Sequence, residues 1–164
     1  MNLFSRTAPA SSALSLAALA ALTLAGAWAF QFAGYPPCDL CYEQRYAYYA
    51  AVPLGGLIAL AAMIKAPRAV LGVGFALLAA MFVYNAGLAI YHSGVEAKLW
   101  AGPTACTGGA YSGGQGDLLT QLQTIKVVRC DKVSLRVFGL SLANWNIVIS
   151  AALAALGAAS LVRR

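Results

Sequence analysis

The sequence predicts an all-α membrane protein: a four-helix transmembrane bundle with two loops on one face, the second long and carrying a short interfacial helix. Three observations carry this. Of 164 residues, 61% are apolar and only 10% charged, against roughly 25% charged in a soluble domain. Four apolar segments approach the roughly 20 residues a helix needs to cross a hydrocarbon core. Stretches rich in small residues, such as Ala76 to Ala80 and Ala151 to Ala159, allow helices to approach closely in lipid. Residues 1–164 are read as one four-span domain.

The expected spans are 13–33, 46–64, 69–91 and 142–162. Pro53, Gly55 and Gly56 in the second predict a kink that its neighbours must support. The third carries no charge. The fourth starts raggedly, with Asn144 and Asn146 expected at the interface beside Trp145. The first has a rival reading as a cleaved signal peptide, through Arg6 and the Ala-x-Ala pattern at Ala25, Ala27 and Ala29. Its apolar run exceeds a signal core of 7 to 15 residues, which favours a retained span. The net charge of +6 forms no long basic run or stripe, so nucleic-acid binding is not expected.

With both termini in the cytoplasm, the short cytoplasmic loop and the termini hold Arg6, Lys65, Arg68, Arg163 and Arg164 and no acid, as the positive-inside rule requires. The long loop, with Lys98, Lys126, Arg129, Lys132 and Arg136, leaves the raw count undecided. The cysteines decide it. All four fall in loops 34–45 and 92–141 on one face, and paired cysteines persist on the oxidising side of a membrane. That face is the periplasmic side of a bacterial inner membrane.

The chemistry starts at Pro36-Pro37-Cys38-Asp39-Leu40-Cys41-Tyr42-Glu43-Gln44-Arg45. Two prolines set up a helix start, putting Cys38 and Cys41 on its first turn, where the helix dipole favours thiolate. Asp39 between them opposes it. Arg45 falls one helical turn beyond Cys41 on the same face, fit to stabilise a thiolate or an anionic ligand. A snorkelling role or an ion pair with Glu43 or Asp39 is the structural alternative. No metal site is expected, because Cys106 and Cys130 lie 24 positions apart with no histidine near either, whereas zinc wants a second close ligand pair. A Cys106–Cys130 disulfide would close a loop worth ~3.5 kcal/mol of chain entropy, so a static staple is a real alternative. The flexible run Gly108-Gly109-Ala110-Tyr111-Ser112-Gly113-Gly114-Gln115-Gly116 instead suits a cysteine that changes partners. From Asp117 to Arg129, Leu118, Leu119, Leu122 and Ile125 share one helical face opposite Gln121, Gln123 and Lys126, as an interfacial helix would. Lying flat, it would hold Cys130 near Cys38 and Cys41.

Taken in order, Cys-x-Leu-Cys with Arg45, then Tyr91-His92-Ser93-Gly94-Val95-Glu96 with Trp100, Gly102, Pro103 and Cys106, then Cys130-Asp131 and Phe138-Gly139-Leu140-Ser141-Leu142 resemble the DsbB family of disulfide bond formation proteins over nearly the whole chain. The glycine-rich run lies outside the matching pattern. The resemblance implies a thiol oxidase in the relay of DsbA, DsbB and quinone that keeps a bacterial periplasm oxidising. It implies that Cys106 forms the mixed disulfide with a periplasmic DsbA-like partner, general or dedicated. Cys130 then attacks Cys38, and Cys41 is left as a thiolate facing a membrane quinone, ubiquinone or menaquinone. Arg45 and His92 are implied to lie beside the quinone ring. On the residues alone, His92 with Glu96 one turn later also reads as a structural pair. The rival function is a tetraspan scaffold or transporter subunit with two structural disulfides. The uncharged third span disfavours an ion path.

Overall fold

A computed structural model describes residues 4–103 and 128–162. Four helices, α1 (Phe4–Phe32), α2 (Asp39–Met63), α3 (Arg68–Glu96) and α4 (Leu142–Val162), are each long and apolar enough to cross a membrane. The four-span bundle is therefore as expected. The predicted interfacial helix, the glycine-rich run and Cys106 lie outside the described residues.

Hydropathy underestimates three of the helices, and α1 begins at Phe4 rather than near 13. The α2 helix begins at Asp39 rather than near 46, and α3 continues through His92 to Glu96. The first loop thus shrinks to the few residues from Ala33 to Cys38. The extra turns are polar, so an apolar window stops short of them, although their backbone bonds continue the same i to i−4 ladder. Three helices end alike, with left-handed residues at Gly34 (φ 97°), Lys65 (φ 61°) and Lys98 (φ 58°). At each, the paired bonds of a Schellman motif satisfy the last carbonyls, as in Lys65 N–H to Ala62 O (3.2 Å) and Ala66 N–H to Ala61 O (2.9 Å). Ser141 caps α4, its Oγ accepting from the Asn144 N–H at 3.2 Å.

In lipid, helices associate by close van der Waals packing rather than by expelling water. Helix α1 runs along α2 and α3 along α4, with α2 and α3 joining the two pairs. Small residues mark the tight crossings. A Cβ on Gly55 would meet the Ala17 Cβ at 2.9 Å, and one on Gly157 the Ala79 Cβ at 3.3 Å. Gly55 thus serves the α1–α2 contact, and α2 remains one helix through Pro53. Leu16, Phe75, Leu78, Phe82 and Leu153 fill the centre, while Leu22, Val73, Leu77, Val83 and Leu156 point outward, as an apolar solvent permits.

One element was not expected. Before α4, strands β1 (Arg136–Val137) and β2 (Leu140–Ser141) form a hairpin. Phe138 (φ 53°) and Gly139 (φ 84°) turn it, both left-handed as a two-residue type I′ loop requires. The Trp145 Nε1–H donates to the Val137 carbonyl at 2.9 Å and ties the hairpin to α4. Strands of two residues carry too little alternation to register in a sequence.

Candidate active site

The Pro36-Pro37 pair ends the extended first loop, and Cys38 becomes the N-cap of α2 with extended backbone (φ −82°, ψ 172°). Cys41 then falls on the first turn, and the Cys38 Sγ–H donates to the Cys41 Sγ at 3.0 Å. Both are free thiols. Cys38 is buried and Cys41 half-buried. The hydrogen bond to Cys41 and then burial push the Cys38 thiol well above its ordinary range, against a lowering pull from His92. In the reduced pair Cys38 therefore keeps its proton and gives it as a hydrogen bond to the Cys41 sulfur.

Cys130 is disulfide-bonded. It is 1% exposed and belongs to the same small buried cluster as Cys38, Leu40 and Val95. The expected closeness of Cys130 to the Cys38–Cys41 pair is met, although the helix invoked to hold it there falls outside the described residues. Beside it the Arg129 guanidinium grips both oxygens of Asp131 at 2.8 and 2.7 Å. That contact holds the Asp131 carboxyl below the usual carboxylate range.

On one side of the thiols a cavity of about 340 Å³ opens between α1, α2 and α4, at the low end of the range for small-molecule sites. Cys41 and Arg45 both line it, with Phe30, Tyr35, Phe138 and Ile149 among its apolar walls. Arg45 is only 9% exposed. Its Nη1 donates to the Gln31 Oε1 at 2.7 Å, its Nη2 to the Ala27 carbonyl at 3.3 Å, and its guanidinium lies 5.3 Å from the Tyr42 ring centre. Among the described residues no carboxylate pairs with it. The ion pair with Glu43 or Asp39 that the sequence left open is therefore not formed, and a largely neutral shell holds a cation against the cavity.

His92 meets the sulfurs without lining that cavity. Its Nε2 is 3.6 Å from the Cys38 Sγ and 4.0 Å from the Glu96 carboxylate, and its Nδ1 meets the Gln44 Nε2 at 2.9 Å. His92 lines a second, smaller cleft with Cys38, Cys41, Glu96 and Lys132, not the large cavity. The two sulfurs and the imidazole lie within 4.8 Å of one another, so a soft cation would find three donors here, a grouping that 54 positions between Cys38 and His92 concealed in the sequence.

Sequence reasoning missed a buried polar file behind His92. Gln44 meets Asn146, Asn146 meets Tyr48, and Tyr48 meets Ser150, which accepts from Asn85. Asn146 was expected at the interface; instead its amide points into the bundle. Asn144 likewise turns inward and accepts from the Ser93 hydroxyl at 2.5 Å. The available signal was spacing. Gln44 and Tyr48, and Asn146 and Ser150, are each four residues apart on apolar helices, which stacks them on one face. Trp100 explains another matched residue. It stacks on Tyr91 and donates to the Tyr91 carbonyl at 2.8 Å, leaving no room for a Cβ on Gly94.

A four-span membrane bundle with a free thiol pair at one helix start, a further disulfide packed beside it and an apolar cavity at the sulfurs defines a membrane thiol protein. A family model for "Disulfide bond formation protein DsbB" matches residues 9–160. The chain belongs to the DsbB family and is a multi-pass membrane protein of disulfide bond formation. It is 27% identical over 155 residues to "Disulfide bond formation protein B" of Polaromonas sp. (strain JS666 / ATCC BAA-500), covering 92% of this chain and 88% of that protein. No solved structure matches it.

Proposed function

We propose that the chain is a protein-dithiol:quinone oxidoreductase that reoxidises a periplasmic DsbA-like protein and passes the electrons to ubiquinone or menaquinone. The observation that carries this reading is the shared wall of the cavity. Cys41 and Arg45, which pairs with no carboxylate among the described residues, face one apolar space large enough for a ring. A site of this kind suits a flat apolar molecule that gains negative charge at one end.

The relay runs as exchange steps. The partner's dithiol attacks the loop disulfide at Cys106, becoming a disulfide itself and leaving Cys106 and Cys130 as thiols. The Cys130 thiolate attacks the Cys38 sulfur of a Cys38–Cys41 disulfide, and Cys41 departs as thiolate. Cys106 then attacks Cys130, restoring the loop disulfide and releasing Cys38. A bound quinone supplies the acceptor of two electrons and two protons when Cys38 and Cys41 close again. Arg45 holds the negative charge that develops at the cavity wall, and His92, which the resemblance assigns to the ring's surroundings, acts through the Cys38 sulfur.

A filled cavity tests this. Gly26 lines it, and a Cβ there meets nothing within 4 Å, so Gly26→Phe starts a side chain at the cavity wall without a clash at Cβ and without cost in helix propensity. The purified variant is expected to fold normally and retain at least roughly tenfold less quinone, the loss of ~1.4 kcal/mol or more of binding. Undiminished quinone in the variant would place the binding site elsewhere.

The orientation that goes with this reading has both termini in the cytoplasm and all four cysteines in the periplasm of the inner membrane. After reduction, a membrane-impermeant thiol reagent is expected to label the cysteines from the periplasmic side. Labelling that needs a disrupted inner membrane would reverse the topology.

A further inference from the structure

The polar file from α3 and α4 to the thiols has a direction. Asn85 Nδ2 donates to the Ser150 Oγ at 2.9 Å. The single Ser150 proton is directed to Tyr48 (3.0 Å) or to the Asn146 Oδ1 (3.3 Å). The Tyr48 hydroxyl donates to the Asn146 Oδ1. With its oxygen so engaged, Asn146 presents Nδ2, which donates to the Gln44 Oε1 at 2.6 Å. Gln44 is then left to offer its Nε2–H to the His92 Nδ1, 2.9 Å away. An imidazole nitrogen that accepts must be bare, so the ring proton resides on Nε2. That nitrogen faces the Cys38 Sγ at 3.6 Å, which can accept, while the Glu96 carboxylate lies 4.0 Å away, beyond hydrogen-bond reach. Cys38 in turn donates to Cys41.

We propose that Tyr48, Asn146 and Gln44 are positioning residues that lock His92 in its neutral Nε2–H tautomer, so that an unbroken file of donors points at the Cys38 and Cys41 sulfurs and holds negative charge on Cys41. Its second half rests on the redox reading above; the tautomer does not. Each bond in such a file polarises the next. Interhelical hydrogen bonds in membranes average only ~0.6 kcal/mol, so stability alone gives little reason to bury Gln44, Tyr48, Asn85 and Ser150 in a lipid-facing bundle, although Gln44, Tyr48 and the half-buried Asn146 also line the large cavity. Direction gives a reason. A protonated or Nδ1–H imidazole would set two donors, its own and that of Gln44, against each other across 2.9 Å. His92 is thus a fixed hydrogen-bond donor to sulfur rather than a base that removes the Cys38 proton.

The chain has one histidine, so nitrogen-15 histidine labelling of the full-length reduced protein in detergent or lipid gives the signals of His92 alone. A protonated-type shift at Nε2 and a bare-type shift at Nδ1 are expected. Gln44→Glu puts an acceptor opposite Nδ1 and is expected to move the proton there, while Tyr48→Phe, which keeps the ring against Phe82, is expected to yield a mixture of tautomers. An Nδ1–H ring in the unaltered protein, or no movement in Gln44→Glu, overturns the proposal. Alkylation of quinone-free reduced protein, followed by mass spectrometry, reads the charge on half-buried Cys41. It is expected to slow roughly tenfold in Gln44→Leu, and an unchanged rate removes the file's role at the thiolate. Neither readout uses quinone or partner, so a wild type unable to reduce quinone would sink the redox reading and leave the tautomer result standing.

Discussion

Replacing Arg45 with methionine is expected to slow oxidation of the reduced protein by added quinone by roughly 10²-fold or more, the usual cost of removing a charge-stabilising donor from a preorganised site. The guanidinium is held by Gln31 and the Ala27 carbonyl and sits over the Tyr42 ring. Those neutral contacts place it without cancelling its charge. Its attraction to the cavity's occupant and to Cys41 therefore grows as electrons arrive, which lowers a barrier rather than merely tightening binding. Exchange between the loop disulfide and a dithiol partner makes no use of Arg45 and is expected to be largely intact. Lysine is expected to rescue only in part, because a point charge on a flexible stem cannot keep both the Gln31 and Ala27 contacts. Stopped-flow quinone reduction beside single-turnover exchange separates the two half-reactions. Equal loss in both would make Arg45 a folding residue, and an unaltered quinone step would make it a snorkelling one.

The second large effect is a trapped intermediate. In Cys41→Ser the Cys38 thiolate attacks the Cys130 sulfur of the loop disulfide, forming Cys38–Cys130 and releasing the other loop sulfur as thiolate. Without Cys41, nothing carries those electrons toward the cavity. Cys38 and Cys130 already share one buried cluster, so the reacting atoms need little travel. Most molecules are expected to accumulate as the Cys38–Cys130 species. Peptide mapping under non-reducing conditions reads it directly, and finding Cys38–Cys106 alone would reverse the roles given to the two loop cysteines.

The spans were legible because a bilayer demands a length and a composition that few other environments do. Their ends on the cysteine side were not. Asp39 to Arg45 and His92 to Glu96 are polar turns of the same helices, and a hydropathy profile registers the lipid boundary rather than the last hydrogen bond. Cys38, Cys41 and Arg45 could be read together because they lie within two turns of one helix. His92 came from resemblance, and its contact with Cys38 rather than with the large cavity depends on how α3 packs against α2, which no local pattern encodes. Asn146 misled for a physical reason. An amide next to a tryptophan at a helix start reads as interfacial, whereas here the hairpin takes the Trp145 Nε1–H and the Asn146 amide turns inward to Tyr48 and Gln44. The hairpin itself, two residues to a strand, was below any pattern.

In the proposed function, two thiols on this chain empty their electrons into a quinone. The most direct measurement of this transfer is anaerobic titration of purified, fully reduced, quinone-stripped protein with ubiquinone or menaquinone, counting free thiols and quinol together. Thiols are expected to stay reduced until quinone is added, and each quinone consumed is expected to remove two thiols and yield one quinol, with Cys41→Ser unable to do so. Thiol loss that proceeds equally well without quinone, or quinone that is left unreduced while the thiols persist, would contradict it.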